Sequence, residues 1–537
     1  MLDILTRWSR RDLFRRSGLL LLPAIFGRGA AAARDSPAAA AGGSDGLRAG
    51  EDVYRSIGVR PLINARGTFT IISGSLMLPE VRAAIDAAAQ HHVHLDELMT
   101  AIGARLAELT KAEFGMVSSG CAAALTHATA ACVAGGNPDL HVRIPNLSGF
   151  AKDEVIIPKH SRNVYDAAVR AVGVRVVEVG TLEELEAAFG PRTALIYILA
   201  GPEADKSPLN TRAIAQLANQ KRVPVLVDAA AEVLTIPNVH LENGATLVAY
   251  SGGKCIRGPQ SAGLLLGRKD LVRAAWVHSA PHHGFSRSMK VGKEEAIGML
   301  MAVEMWVKRD HKAEWARWMS WLDAIASRAS KIEGVTTAIA ETTELSNRTP
   351  TLTIRWDRKR VGISGADLAR HLLETEPRIA TPGGRDRGDE ASISVTPYQM
   401  AAGEEKIVAD KIYTALSTAP RPTAPTPRVA APASDLSGQW DVRIDYLASA
   451  STHTLHLKQA GNRLEGSHQG DFVSRDLAGT IEGSAVQISS SYTERHGDAL
   501  SFRFTGTVNG DAMSGTLDMG EYLTAAWTAK RHDFRRG

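Results

Sequence analysis

Val223-Pro224-Val225-Leu226-Val227 is a near-continuous apolar run that stops on a carboxylate, Asp228. A strand of that kind is buried on both faces, which calls for a mostly parallel sheet covered by helices on each side. The neighbouring sequence has the texture such a sheet needs. Residues 174–179, 193–199, 246–250 and 262–267 read as further strands, and 210–220 reads as a helix between two of them. Residues 294–309, with Met299, Val303 and Trp306, read as a long helix. Residues 351–356 and 393–395 then read as strands of a smaller α+β lobe, closed by a helix over 404–416. The expectation for this body is an α/β large domain over 51–310 and a small lobe over 311–419.

The two ends have other textures. Ser9-Arg10-Arg11-Asp12-Leu13-Phe14-Arg15 precedes a short apolar run, Gly18 to Phe26, and then Ala30-Ala31-Ala32-Ala33. Paired arginines before a run too short to span a bilayer read as a twin-arginine export signal over 1–33, placing the mature protein in the periplasm or outside the cell. A basic amphipathic surface helix is the alternative reading. Residues 34–50 are rich in Ala, Gly and Ser and read as a linker. Residues 420–433 open on a Pro-rich spacer. Beyond it, 434–530 shows period-two alternation broken by Gly-containing turns, as in Gly438-Gln439-Trp440-Asp441-Val442-Arg443-Ile444. That is the pattern of an all-β sandwich or small barrel. Trp440, Tyr446, Tyr492 and Trp527 are either its core or a surface that stacks on a ligand.

Charge narrows the partners. Sixty-two basic residues against 58 acidic ones over 537 residues leave a nearly balanced chain, with no basic surface for nucleic acid. Three cysteines, Cys121, Cys132 and Cys255, form neither a disulfide framework nor a zinc-type spacing. His278, His282 and His283 are interrupted by Pro281 and offer no regular ligand geometry, so no metal site is expected.

Three features carry chemistry. Ser118-Ser119-Gly120-Cys121-Ala122-Ala123-Ala124 follows a probable strand and opens a small-residue helix, whose backbone N–H groups can approach a phosphate closely. Alone, it is equally a tightly packed core helix. Asp228 stands at the mouth of a parallel sheet, where such folds bind ligands, although alone it is better read as a helix cap or a buried structural acid. Ser251-Gly252-Gly253-Lys254 puts a lysine in a Gly-rich turn between two core strands, poorly explained as a solvated charge. Together they form the pattern for pyridoxal phosphate: a lysine for the Schiff base, an acid 26 residues before it for the pyridinium nitrogen, and a phosphate cradle upstream.

At this point the chain resembles a family. Pro61-Leu62-Ile63-Asn64-Ala65-Arg66-Gly67-Thr68, His160-Ser161-Arg162-Asn163-Val164-Tyr165-Asp166, Asp228-Ala229-Ala230-Ala231-Glu232, Ser251 to Gln260 and Met289 to Glu295 are similar to the pyridoxal-phosphate-dependent enzymes of fold type I. Within them the chain resembles the selenocysteine-synthase-like group that includes the D-glucosaminate-6-phosphate ammonia-lyases. The resemblance covers residues 52–418. It implies Lys254 as the Schiff-base lysine, Asp228 as the pyridinium partner, Ser119, Gly120, Cys121 and Ser251 at the phosphate, and His160 stacked on the ring. Asn64, Arg66, Arg257 and Arg385 are the implied substrate contacts. Arg287, Lys290 and Lys293 are implied near a partner subunit's site, and a homodimer or larger homo-oligomer is expected.

The implied reaction is α,β-elimination on a small-molecule hydroxy amino acid or amino-sugar acid, giving a keto acid and ammonia. The same site also serves racemisation and retro-aldol cleavage. A non-catalytic binding protein on the same scaffold, and a β domain that sets the function, are the readings from other classes.

Overall fold

The computed structural model describes residues 47–50, 53–419, 430–493 and 499–534. The expected export signal, most of the linker behind it and the Pro-rich stretch 420–429 lie outside the described residues. Contacts divide the chain into Met1–Pro61 and Leu62–Gly537. In the described end of the first unit, Arg55–Ile57 form a single 3-10 turn closed by Gly58 in the left-handed region.

The second unit opens with β1 (Ile63–Asn64) and then builds a large sheet from β2 (Phe114–Ser118), β3 (Glu154–Pro158), β4 (Arg175–Val179), β5 (Thr193–Leu199), β6 (Val225–Asp228), β7 (Leu247–Ser251) and β8 (Gly263–Gly267). Their order is β2-β8-β7-β6-β5-β3-β4. β8 runs against β2 and β7, and every other pairing is parallel. Two antiparallel steps restore direction, so β2, β7, β6, β5 and β3 all end at one edge of the sheet, where β8 begins. Most of their residues are buried, as the apolar runs require. The helix Cys121–Ala134 is almost wholly buried as well, because Ala, Thr and Cys side chains let it sit close among its neighbours.

A second apolar cluster gathers around β9 (Val335–Ala340), β10 (Thr351–Asp357), β11 (Ile379–Ala380), β12 (Gly384–Arg387) and β13 (Glu390–Val395). β12-β13-β10-β9 form an antiparallel sheet, covered by the helices Gly365–Glu374, Glu404–Ser417 and the second half of His311–Ala329. β1 pairs in parallel with β11, and Ile63 and Ala65 pack into this second cluster. The segment expected with the large domain therefore belongs, by its packing, to the small lobe.

The C-terminal strands β14 (Gly438–Asp445), β15 (Ala450–Ala460), β16 (Arg463–Gln469), β17 (Ser474–Glu482), β18 (Ala485–Thr493), β19 (Ala499–Asn509), β20 (Ala512–Asp518) and β21 (Thr524–Arg531) close into an antiparallel barrel. Each pairs antiparallel with the next in sequence, and β21 pairs back onto β14. Side chains alternate inward and outward, which is why the sequence alternates. Trp440 and Trp527 fill the interior, while Tyr446 and Tyr492 are half-buried. Closure decides between the two expected β architectures in favour of the barrel. No helix among the described residues is long and apolar enough to cross a membrane.

Candidate active site

The common strand edge of the large sheet collects the residues singled out by sequence. Ser119, Gly120 and Cys121 follow β2, His160 follows β3, Asp228 ends β6, and Ser251 ends β7 just before Lys254. Parallel strands present their ligands at their carboxyl ends, and the topology delivers these side chains there from four separate strands.

Asp228 is the electrostatic centre. Only 1% of it is exposed. Its Oδ2 accepts from the Tyr197 hydroxyl at 3.0 Å, and its Oδ1 accepts from the Ala230 N–H at 3.1 Å and the Cys121 thiol at 3.6 Å. Burial raises its pKa above the ordinary carboxylate value, and these donors and the charge of Lys254 work against that rise. The same burial, with the negative field of Asp228, pushes the Cys121 thiol and the Tyr197 phenol well up. Cys121 is thus held as a thiol, a donor to Asp228 and not a nucleophile. Asn163 completes the array, its Nδ2 donating to the Tyr197 oxygen at 3.0 Å and to the Ser161 carbonyl at 2.7 Å.

Lys254 is held by a turn that could not carry larger neighbours. A Cβ on Gly253 would lie 2.7 Å from the Gln260 Cα. The Gly253 carbonyl accepts from the Ser75 N–H at 2.9 Å, which lays the segment 64–75 over the lysine turn. The phosphate cradle is of the opposite kind. Gly120 caps the helix Cys121–Ala134 at φ +94°, and a Cβ built on it meets nothing within 4 Å. The conformation demands glycine, and the space above the helix N-terminus is open. Ser119 Oγ donates to the Met289 carbonyl at 2.9 Å, tying the cradle to the loop before the helix Lys293–Lys308.

These features fit pyridoxal phosphate. A wholly buried carboxylate that accepts from a phenol, a thiol and a backbone N–H, all neutral donors, suits a pyridinium N–H, and an open glycine-capped helix end suits a phosphate. His160 is half-buried, its Nε2 is buried with no partner, and burial lowers its pKa, so it is a neutral ring at the strand edge.

The four expected substrate contacts do not stay together. Asn64 spends its amide on its own loop: Nδ2 donates to the Gly67 and Gly74 carbonyls, and Oδ1 accepts from the Arg66 and Gly67 N–H groups. It shapes the segment over Lys254 instead of presenting a free polar group. Arg66 stacks over the Phe69 ring at 4.2 Å and keeps its buried Nε without a partner. Arg257 adopts φ +62° and donates to the Leu76 carbonyl at 2.9 Å. Burial and the nearby Arg309 lower its pKa. Arg385 stands exposed on the edge strand β12 of the small lobe, opposite Ser392. Tyr197 was missed by sequence reasoning; the available signal was a single phenol in an otherwise apolar strand beside the Asp228 strand. Tyr398, whose hydroxyl accepts from the Thr68 N–H at 3.0 Å, gave no local signal at all.

The chain is similar to known proteins in sequence and in fold. The class-V aminotransferase family model matches residues 156–284. The chain is 29% identical over 370 residues to the D-glucosaminate-6-phosphate ammonia lyase of Salmonella typhimurium (strain 14028s / SGSC 2262), covering 67% of this chain and 97% of that protein. It is 31% identical over 366 residues to a 5'-C-glycyluridine monooxygenase-decarboxylase of a Streptomyces species, covering 62% and 89%. A solved structure of D-glucosaminate-6-phosphate ammonia-lyase superposes with a TM-score of 0.61 at 27% identity, over 68% of this chain and 98% of that one. With Asp228, Lys254 and the Gly120 cradle in place on this sheet, the chain belongs to the family of pyridoxal-phosphate-dependent, class-V-aminotransferase-like enzymes that contains these relatives.

Proposed function

We propose that this chain is an exported carbon–nitrogen lyase that uses pyridoxal phosphate to eliminate water and then ammonia from a hydroxy amino acid or amino-sugar acid. The observation that carries the reading is the buried Asp228 array beside the Lys254 turn, in a chain that aligns along 97% of an ammonia lyase. Bound pyridoxal phosphate supplies an electron sink for the substrate's α-carbon. Asp228 keeps the proton on the ring nitrogen, and Tyr197 and Asn163 hold Asp228 in place. Gly120, Cys121, Ser119 and Ser251 seat the phosphate, and the neutral His160 ring covers the cofactor. Lys254 takes the α-proton, and the β-carbon–oxygen bond breaks as hydroxide leaves and is protonated to water. The released enamine tautomerises, adds water and loses ammonia, leaving the keto acid. Arg66 and Arg257 are the better placed carboxylate anchors, since both belong to segments that frame Lys254. Arg10-Arg11 and the apolar run behind them support export, and assembly as a homodimer is part of the proposal.

The test follows ammonia and keto-acid release from purified protein loaded with pyridoxal phosphate. D-glucosaminate 6-phosphate, its unphosphorylated form, serine and threonine are the substrates. Stoichiometric ammonia and keto acid are expected from at least one. The 31% identity to a monooxygenase-decarboxylase favours a second outcome, oxygen uptake with carbon dioxide release. That result, or a racemised or shortened product without ammonia, overturns the lyase assignment.

A further inference from the structure

A cleft of about 1140 Å³ adjoins the lysine turn, with Cys255 and Arg257 in its wall, one and three residues beyond Lys254. Another wall is the first half of the helix His311–Ala329. That half buries no side chain, although it carries Trp315, Trp318 and Trp321 at three-residue spacing; burial begins only at Leu322. A tryptophan has about 150–250 Å² to bury; Trp321 spends part of its surface against the small lobe's core, while the partly exposed indoles of Trp315 and Trp318 leave apolar surface facing the cleft. Trp306 and Tyr398 also line the cleft.

The rings are fixed in place. The Trp315 indole N–H donates to Glu341 at 2.7 Å, the Trp306 N–H donates to the Leu234 carbonyl at 2.7 Å, and Trp318 stands edge-on to Tyr398 at 6.2 Å. Hydrogen bonds use up the polar edges of Trp315 and Trp306. The charges in the cleft are unequal. Glu314 is paired with the guanidinium of Arg309, while Glu341 accepts from Trp315 and keeps its charge, so two carboxylates face five Lys and Arg side chains: Arg257, Arg309, Lys312, Arg317 and Arg348. Lys312, Arg317 and Arg348 have no ion-pair partner among the described residues, and Arg348 lies 5.8 Å from the centre of the Trp315 ring. Held aromatic faces beside unmatched cations are complementary to a ring that carries an anionic group.

Resting on the lyase reading, we propose that this cleft seats the distal part of the substrate, a ring bearing a phosphate or carboxylate, while its amino-acid end reaches Lys254. A pyranose and a nucleobase both offer a stackable ring, and the experiment separates them. Tryptophan fluorescence of the pyridoxal-phosphate-loaded full-length protein is titrated with glucosamine 6-phosphate, uridine 5'-monophosphate and, as the ringless anion, glycerol 3-phosphate. One ring-bearing anion is expected to quench saturably and to bind at least tenfold more tightly than glycerol 3-phosphate. Trp318→Leu and Arg348→Gln are each expected to weaken that binding about tenfold. Arg348 is exposed, so its variant tests the site without disturbing the core. Equal binding of ringed and ringless anions, or binding untouched by both variants, overturns the proposal. So does Trp318→Leu splitting a dimer while ring binding persists, which makes the stripe a contact between copies. Ammonia release is read separately. If a ring-bearing substrate is turned over and both variants leave its KM unchanged, the cleft proposal fails and the lyase stands. If ring-bearing anions bind as expected but no substrate yields ammonia, the lyase reading fails and the cleft stands.

Discussion

Tyr197→Phe isolates the hydrogen bond that holds the proposed cofactor partner. The change removes one hydroxyl and keeps the ring, which is fully buried in the large sheet. Asn163 is not stranded, because its Nδ2 retains the Ser161 carbonyl at 2.7 Å. What disappears is the 3.0 Å donation to Asp228 Oδ2. A hydrogen bond to a charged group is worth roughly 1.5–3 kcal/mol, against roughly 0.5–1.5 kcal/mol for a neutral pair. The pKa moves by the difference between the two, roughly 1–1.5 kcal/mol, which is a further rise of about one unit in the Asp228 pKa at about 1.4 kcal/mol per unit. The sign follows from burial, which already places that pKa above its unfolded value. In cofactor-free protein, the unfolded state therefore ionises first as pH rises, and stability falls until the folded pKa is passed. The variant extends that fall to higher pH. Its deficit should be small in acid, where the carboxyl is neutral, and reach roughly 1.5–3 kcal/mol near neutrality, or about 3–6 °C in Tm for a domain of about 250 residues. Thermal unfolding of cofactor-free wild type and variant from pH 4.5 to 8 measures it. A Tm deficit that stays constant across this range would show that the phenol does not act on an ionising carboxylate, and the proposed support of Asp228 would fall.

Four further outcomes are expected. Borohydride should fix pyridoxal phosphate to Lys254, and Lys254→Ala should lose turnover with an unchanged circular dichroism spectrum; label on another lysine refutes the assignment. Gly120→Ala should cost about 1–3 kcal/mol in thermal unfolding, from its φ of +94°, and weaken pyridoxal-phosphate binding in titration, because the added methyl enters the open space over the helix end. Truncation after Ala419 should leave cofactor absorbance intact, since the barrel has its own apolar core; loss of the cofactor would tie the barrel to the site. In acid, burial holds His127 at a pKa of about 4 and His278 at about 3, the latter helped by His141. Their neutral forms stabilise the fold above about pH 6.5, and that contribution is lost as pH falls toward those values. For His127 it is on the order of 3 kcal/mol. His127→Gln should flatten the Tm profile between pH 6 and 4, and an unchanged slope refutes the linkage.

Some of this was legible in the sequence because local pattern and global role agree. Residues 193–199 and 262–267 read as strands, and the structure bounds them as Thr193–Leu199 and Gly263–Gly267. Runs buried on both faces leave period two no choice, and Pro and Gly punctuate their ends. Asp228, Lys254 and Gly120 were visible for a related reason. Each breaks the local rule for its surroundings: a charge ending an apolar strand, a lysine among glycines, and a glycine opening a helix.

What stayed hidden depends on contacts across the fold. β1 is two residues long and exists because Ile63 and Asn64 pair with Ile379 and Ala380, more than three hundred residues away. That pairing also explains why Ile63 and Ala65 join the small lobe's core, although the chain next to them runs over the lysine turn. Asn64 is implied as a substrate contact by the family resemblance alone. Its four loop hydrogen bonds can be seen only once Gly67 and Gly74 have folded back on it. Arg385 sits on an edge strand, and an edge strand exposes alternate side chains whatever their role, so its position adds nothing to the resemblance that named it. The tryptophans at 315, 318 and 321 follow the spacing of a buried helix face, yet burial begins only at Leu322. The periodicity correctly marks a face that seeks apolar contact, but it cannot say whether protein or ligand supplies that contact. Here the small lobe's core reaches only Trp321 of the three, and Trp315 and Trp318 are left lining the cleft beside the lysine turn.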